Sequence, residues 1–265
     1  VVGPAMAVLV LARSGYLTAI QWNGAFIIYG FALFLFAAMY FWVFEPQKAT
    51  PQTVSSTTPN ARFPWPRVLA LSGVTFVVAI IYYVYTINGA NAFHTLNNAR
   101  PQEIGLMMSR VSLAVPAGSL LFGIMTRYFA PMRVMAFTLL LMGSGMVMMA
   151  LSRTVLPMGA GSAFQQLGAG MAINALIYWV GTLIPPAYIG RAMGAWSGAF
   201  FAGMFVSPII VGLLRLKMNN NILTVFAVLG VLALLLALTL FLYTFSRHGR
   251  LLQHGKERNG WQLAK

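Results

Sequence analysis

Few side chains in this sequence could support acid, base or nucleophilic chemistry. Its 265 residues include three acids, three histidines and no cysteine. The acids lie at the edges of apolar segments or near the carboxyl terminus, at Glu45, Glu103 and Glu257. No apolar segment contains a carboxylate pair, a His-Glu-x-x-His metal motif or a phosphate-binding glycine loop. We therefore predict no catalytic residue, no metal site and no cofactor, and a protein that is not an enzyme.

A second group of polar side chains could bind a solute. Arg110 is the only basic residue well inside an apolar segment. It could anchor an anionic solute or a gate, or its head group could extend to the nearby membrane surface. We predict that six further residues line the same solute cavity: Tyr82, Tyr85, Gln166, Asn174, Tyr178 and Trp196. The amides could equally bond neighbouring helices, and the tyrosines could belong to an interfacial aromatic belt.

The composition indicates a membrane protein. Hydrophobic residues make up 59% of the chain and charged residues 8%, whereas soluble domains have about 25% charged residues. The mean hydropathy is +0.78. The formal net charge is +14, but the basic residues stand singly at segment ends and in the tail, as in membrane proteins. We predict a lipid bilayer as a partner and no nucleic-acid binding.

Apolar segments of roughly 20 residues, enough to cross about 30 Å of hydrocarbon, divide the chain. Residues 1–12 read as the end of a truncated span, and residues 24–44 form a full one. Residues 45–66 hold five prolines and six Ser or Thr residues, which predicts an extended linker. Six further spans are predicted at residues 67–88, 103–125, 132–151, 155–184, 190–214 and 222–245.

The predicted fold is an all-α polytopic membrane protein with about seven complete transmembrane helices and one truncated helix. Residues 1–44 would end one helical half, and residues 45–66 would be a cytoplasmic linker. Residues 67–245 would form a six-helix half, followed by a basic tail at 246–265. If the loops alternate sides, the side with the linker and the tail carries most Lys and Arg residues. That side, with the carboxyl terminus, is predicted to be cytoplasmic.

Small residues predict close helix packing after the polar hinge at 185–191. Three glycines follow at i, i+4 and i+8, a spacing that places them on one helix face where a second helix could approach closely. We assign the packing role to Gly190, Gly194, Gly198, Gly203, Pro208 and Gly212.

Several motifs resemble those of the major facilitator superfamily of secondary transporters. Gly3-Pro4 resembles the antiporter motif of that family's fifth span, and Trp-Asn-Gly-Ala-Phe at 22–26 resembles the start of its sixth. A basic loop motif between the eighth and ninth spans and the start of the eleventh span are also represented. We assign these loop and gating positions to Gly123, Arg127, Arg133 and Arg191.

The resemblance implies twelve spans in two halves that alternate access to a central site. The chain would then be a carboxyl-terminal fragment, comprising the last part of the amino-terminal half and the whole carboxyl-terminal half. The family implies a small-molecule substrate and a bacterial cytoplasmic (inner) membrane. The antiporter motif favours efflux of small amphipathic compounds in exchange for protons. Because no carboxylate lies deep in an apolar segment, the proton-coupling group would belong to the first four spans.

Two alternatives stay open. One is an uptake permease for a small organic anion, which Arg110 would suit. The other is a truncated membrane protein without transport activity of its own, since half of a two-half transporter cannot alternate access alone.

Overall fold

The computed structural model describes residues 30–42, 63–97 and 101–244. The predictions for Gly3-Pro4, for residues 22–26, for nearly all of the linker and for the tail lie outside these ranges. Every regular element in the described ranges is helical, which confirms the predicted all-α class. The helices are α1 (Gly30–Trp42), α2 (Trp65–Asn97), α3 (Pro101–Ser112), α4 (Ala114–Tyr128), α5 (Pro131–Leu151), α6 (Val155–Leu183), α7 (Ile189–Lys217) and α8 (Ile222–Tyr243).

Five segments of the described chain are long and apolar enough to cross a membrane. They correspond to α2, α3 with α4, α5, α7 and α8. Helix α6 has 29 residues, which is about 43 Å of helix and also long enough. It is not among the five, and it carries Gln165, Gln166 and Asn174 in its interior. Because α6 contacts α2, α3, α4, α5 and α7, its polar residues can be enclosed by protein rather than lipid.

The helices pack in two groups. In one, α5 lies between α6 and α8, and α4 packs against α6. In the other, α2 packs along α7. Helix α6 also contacts α2, so that a single buried apolar cluster extends through both groups. The two helices joined by the hinge, α6 and α7, contact each other much less than they contact these other partners.

Glycines allow the first group to pack with backbones in contact. A Cβ added at Gly143 of α5 would lie 2.8 Å from the carbonyl oxygen of Gly230 in α8. One added at Gly161 of α6 would lie 2.8 Å from the carbonyl oxygen of Gly145 in α5. Between α4 and α6, a Cβ at Gly170 would collide with the Val115 carbonyl oxygen. These helices approach as closely as small-residue membrane interfaces require.

The predicted contact of the α7 glycines is largely not found among the described residues. A Cβ at Gly190, Gly194, Gly198 or Gly212 would meet nothing within 4 Å, and all four glycines are exposed. Pro208 is also exposed. Only Gly203 is packed, because a Cβ there would lie 2.6 Å from the Phe76 oxygen of α2. A contact between the open glycines and the segments outside the described ranges stays a prediction.

Several predicted boundaries change, most of all those of α2 and of the hinge. Helix α2 begins at Trp65 rather than at residue 67 and continues to Asn97 rather than 88. Pro66 fits the first turn of a helix, since its missing N–H would have no intrahelical partner there. The hinge at 185–191 is mostly helical, with a short 3₁₀ helix at Pro186–Tyr188 and α7 starting at Ile189.

The predicted span at 103–125 is interrupted. It consists of α3 and α4, which meet at Leu113. Pro116 has no N–H to donate to the Ser112 carbonyl, so the regular i to i−4 ladder is lost at that point. The Leu113 N–H instead donates to the Arg110 carbonyl at 3.2 Å, a tighter turn. A proline close after residue 112 was visible in the sequence, and this interruption could have been predicted from it.

Candidate functional site

An aromatic cluster joins α2 to α7. The ring of Phe200 stacks on Trp196 with centroids 5.6 Å apart and planes 21° apart. It also meets Tyr82 at 6.0 Å and Tyr83 at 5.7 Å, in edge-to-face geometry. Two of the predicted binding residues, Tyr82 and Trp196, therefore lie in one cluster. Phe200, which carries the cluster, was not among the predicted site residues.

The helix pair beside this cluster is held by short contacts. The Ser207 hydroxyl of α7 donates to the Ile80 carbonyl of α2 at 3.0 Å, and both residues are buried. Gly203, one turn earlier on α7, lets the backbones approach. These contacts fix the register in which Phe200 faces the two tyrosines.

Trp196 carries a polar atom that is not satisfied within the described part of the chain. Its side chain is 9% exposed, and its Nε1–H has no acceptor there. A buried N–H without a partner costs roughly 1–3 kcal/mol. An acceptor on a bound molecule would remove that cost, so the cluster has one directional donor among its apolar rings.

Tyr85 is separated from Tyr82 although both were predicted to line one cavity. Its side chain is fully buried, and its hydroxyl lies beside Ser162 of α6. The ring packs over Gly89, where an added Cβ would lie 3.0 Å from a ring carbon. Since α2 extends to Asn97, Tyr82 and Tyr85 lie in the middle of the helix and not at its end. This position does not fit the alternative of an interfacial aromatic belt.

Asn174 links two helices. Its Nδ2 donates to the Ser119 hydroxyl of α4 at 3.2 Å and to the Gly170 carbonyl of α6 at 2.9 Å. Ser119 in turn donates to the same Gly170 carbonyl at 3.1 Å. Tyr178, one turn further along α6, meets Phe122 of α4 edge to face at 6.0 Å. The geometry shows the helix-bonding alternative for Asn174, and solute binding by Asn174 or Tyr178 stays a prediction.

Two adjacent glutamines of α6 are buried. Gln166, which was predicted to bind a solute, is 9% exposed. Its neighbour Gln165 is completely buried, and neither its amide nitrogen nor its amide oxygen has a partner in the described ranges. Gln165 was not predicted as a site residue. Nothing in the sequence distinguishes these two adjacent glutamines. Their side chains point about 100° apart on the helix, so the rotation of α6 in the bundle decides which one is completely buried.

Arg110 lies in the last turn of α3, three residues before the interruption at Leu113. Its side chain is exposed in the described structure. A cation at the carboxyl end of a helix is favoured by the helix dipole. The helix dipole therefore explains why Arg110 is found at this position even if no solute binds there. The choice between a solute or gate anchor and a head group that extends to the membrane surface stays open.

The predicted gating residues are at one end of the helix bundle. Arg127 is exposed in the last turn of α4, and Arg133 is half-buried in the first turn of α5. Only Phe129 and Ala130 separate these helices. Gly123 is exposed on α4 with open space beside it. Arg191 starts α7, and its Cζ lies 5.6 Å from the centre of the Phe63 ring.

These observations define an α-helical, polytopic membrane protein whose central helix is enclosed by its neighbours. A model of the Major Facilitator Superfamily matches residues 71–264, which is most of the chain, and the chain belongs to that family. The family consists of transporters, so the protein is a secondary membrane transporter of small molecules. A search of curated proteins gave no match.

Proposed function

We propose that the protein exports small amphipathic compounds in exchange for protons, by alternating access between two helical halves. The observation that supports this substrate class is the aromatic cluster between α2 and α7. The rings of Trp196, Phe200 and Tyr82 offer apolar faces for a flat hydrophobic group. The Trp196 Nε1–H, which has no acceptor among the described residues, offers one hydrogen bond to a polar atom of the same compound.

Exchange for protons rests on the antiporter-like sequence motif. Among the described residues Glu103 is the only carboxylate, and it is exposed in the first turn of α3. An acid is favourable at that position because of the helix dipole. We propose that Glu103 is not the proton-coupling group. Glu103→Gln should leave the dependence of transport on the pH gradient unchanged, and loss of that dependence would assign the coupling to Glu103.

The efflux proposal is tested in vesicles that contain the full chain and a fluorescent planar aromatic amine. Trp196→Phe keeps a ring in the cluster and removes only the N–H donor. We expect the KM for the amine to rise about fivefold, as the loss of one neutral hydrogen bond implies, with kcat little changed. Phe205→Leu is the control, since Phe205 lies on the same helix but is 73% exposed. Equal kinetics for wild type and Trp196→Phe would remove the cluster from the binding site.

The second candidate is uptake of a small organic anion, and Arg110 favours it. An exposed guanidinium within a candidate membrane span can bind a carboxylate through two parallel hydrogen bonds. Under this proposal Arg110→Ala abolishes uptake while membrane insertion is intact, and Arg110→Lys recovers only part of it. Arg153→Ala, at an exposed residue between α5 and α6, is the control. Normal uptake by Arg110→Ala contradicts the anion proposal and leaves the efflux proposal unaffected.

The third candidate, a chain without transport activity of its own, predicts that vesicles containing these residues alone show no saturable flux. Flux that saturates with substrate concentration would contradict it.

A further inference from the structure

A pocket lies where the start of α2 meets the start of α7. Its volume is about 380 Å³, and it is lined by Phe63, Trp65, Arg191, Gly194 and Ala195. Sites for small ligands have volumes of roughly 300–1,000 Å³. The pocket is distinct from the aromatic cluster around Phe200, and it does not include Arg110.

The walls of the pocket are held in place by contacts of their own. Phe63 meets Trp65 at 4.9 Å and Tyr188 of the hinge at 5.6 Å, both edge to face. The Trp65 N–H donates to the Phe63 carbonyl at 2.8 Å. Phe63 is therefore fixed between the first turn of α2 and the hinge, and its ring contacts the Arg191 guanidinium.

Arg191 is available to an anion. Its guanidinium lies over the Phe63 ring, 5.6 Å from the ring centre, a cation–π geometry that occupies the face of the group. The N–H donors lie in the plane of the guanidinium and point outward. The only carboxylate that the structure describes, Glu103, begins α3, which follows the other end of α2. Arg191 thus has no described acidic partner at its own end of the bundle.

The position of the pocket identifies the class of ligand. Helices α2 and α7 both begin there, and both lie in segments long and apolar enough to cross a membrane. Trp65 is 61% exposed, and exposed tryptophans at the ends of membrane helices lie at the level of the lipid headgroups. Arg67 is also exposed at this end. Basic pockets between transmembrane helices bind anionic headgroups.

The surface next to the pocket suits an acyl chain. From Gly194, which lines the pocket, the open glycine face of α7 continues to Gly198, one turn further into the apolar helix. Because a Cβ at either position would meet nothing within 4 Å, the helix surface is open there and carries no side chain. A soluble phosphate would use the Arg191 end alone, whereas a lipid would use both parts.

We propose that this pocket binds an anionic phospholipid, with the phosphate on Arg191, the headgroup against Trp65 and one acyl chain along Gly194 and Gly198. The site is additional to the transported substrate, and it rests only on the insertion of the protein in a bilayer. Failure of the efflux or uptake proposal would therefore leave it standing.

The test compares lipid retention by the purified full chain. Native mass spectrometry measures the phosphatidylglycerol and phosphatidylcholine that stay bound, with the same acyl chains in both lipids. Wild type should retain phosphatidylglycerol preferentially, and Arg191→Ala should reduce that retention about tenfold, since a charge-assisted hydrogen bond is lost. Arg127→Ala is the matched control, because Arg127 is exposed at the same end of the bundle but lines no part of the pocket. Equal losses in the two variants would mean general charge attraction and would overturn the proposal.

A second pair of variants leaves every charge in place. Gly194→Leu fills the pocket and should lower phosphatidylglycerol retention severalfold, whereas Gly212→Leu on the same helix should not. Both glycines have open space beside them, so both variants should fold. Unchanged retention in Gly194→Leu would overturn the proposal. That result is also the one expected if a segment of the protein itself covers the pocket. Displacement of the lipid by inorganic phosphate in excess would overturn it too, because the site would then be one for a soluble anion.

Discussion

Glycines of α5 and α7 show the same residue type in opposite surroundings. In α5, a Cβ at Gly143 would lie 2.8 Å from the Gly230 oxygen of α8. In α7, a Cβ at Gly190 or Gly194 would meet nothing within 4 Å. The first environment joins two helices almost backbone to backbone, and the second leaves a helix face open.

The difference separates a tightly packed part of the protein from a surface that can receive something else. Helices α4, α5, α6 and α8 lose freedom to slide, because their carbonyl oxygens occupy the space where side chains would be. Alternating access moves one rigid helical half against another. Close glycine contacts suit the interior of such a rigid unit, whereas an open face suits a ligand, a lipid or another part of the protein.

The largest effect should come from a side chain forced into the tight region. Gly170→Leu places atoms where the Val115 carbonyl of α4 lies, so we expect destabilisation of more than about 3 kcal/mol, the upper end of ordinary overpacking. The apparent melting temperature of the detergent-purified protein measures it. Gly190→Leu, at an open and exposed glycine, should melt near the wild-type temperature. Similar melting of both variants would contradict the division into tight and open regions.

The sequence predicts the positions of most helices but not their partners. Hydropathy placed α5 at residues 132–151 and α6 at 155–184, each within one residue of the structure, because apolar length is a local property. Small-residue spacing at Gly190, Gly194 and Gly198 predicts close contact with a second helix, and no described helix covers that face. It could not show what covers that face, since a glycine row fits a helix, a lipid or open space equally well.

The sequence suggests which polar and aromatic residues to consider for a site, but not which of them lie together. Tyr82 and Tyr85 are separated by three positions, which places them on neighbouring parts of one helix face. In the structure they serve different helix contacts, with Tyr82 at Phe200 of α7 and Tyr85 beside Ser162 of α6. Their assignment depends on the rotation of α2 within the bundle, which tertiary packing determines.

The next effect concerns the buried amide in the tight region. Gln165 is completely buried with both amide atoms unpaired in the described part of the protein. Gln165→Met keeps the length of the side chain and removes the amide, so we expect a stabilisation of about 1–3 kcal/mol, the cost of unpaired buried polar groups. Thermal unfolding in detergent measures it. A lower melting temperature would instead show that water or a solute bonds this amide.

A smaller effect should follow from removal of the amide that bridges α4 and α6. Asn174→Ala loses the bonds to Ser119 and to the Gly170 carbonyl, and interhelical hydrogen bonds in membranes contribute about 0.6–1.7 kcal/mol. We expect lower thermal stability with an unchanged KM. Asn88→Ala is the control, since the bond of Asn88 within the described residues goes to the Val84 carbonyl of its own helix. A raised KM with unchanged stability would return Asn174 to the solute site.

The smallest effect is also the most informative about the open face. Gly198→Ala adds one methyl group to an exposed helix position that has no atom within 4 Å of the new Cβ. Alanine restricts the unfolded chain and favours the helix, so an open face predicts a gain of about 0.5 kcal/mol. Gly212→Ala, also exposed and open, should show the same gain, and thermal unfolding of both variants in one lipid mixture makes the comparison. A loss of stability in Gly198→Ala alone would mean that another part of the protein packs closely there. The sequence-based prediction of small-residue helix packing would then hold for α7, and the acyl-chain part of the lipid site would be wrong.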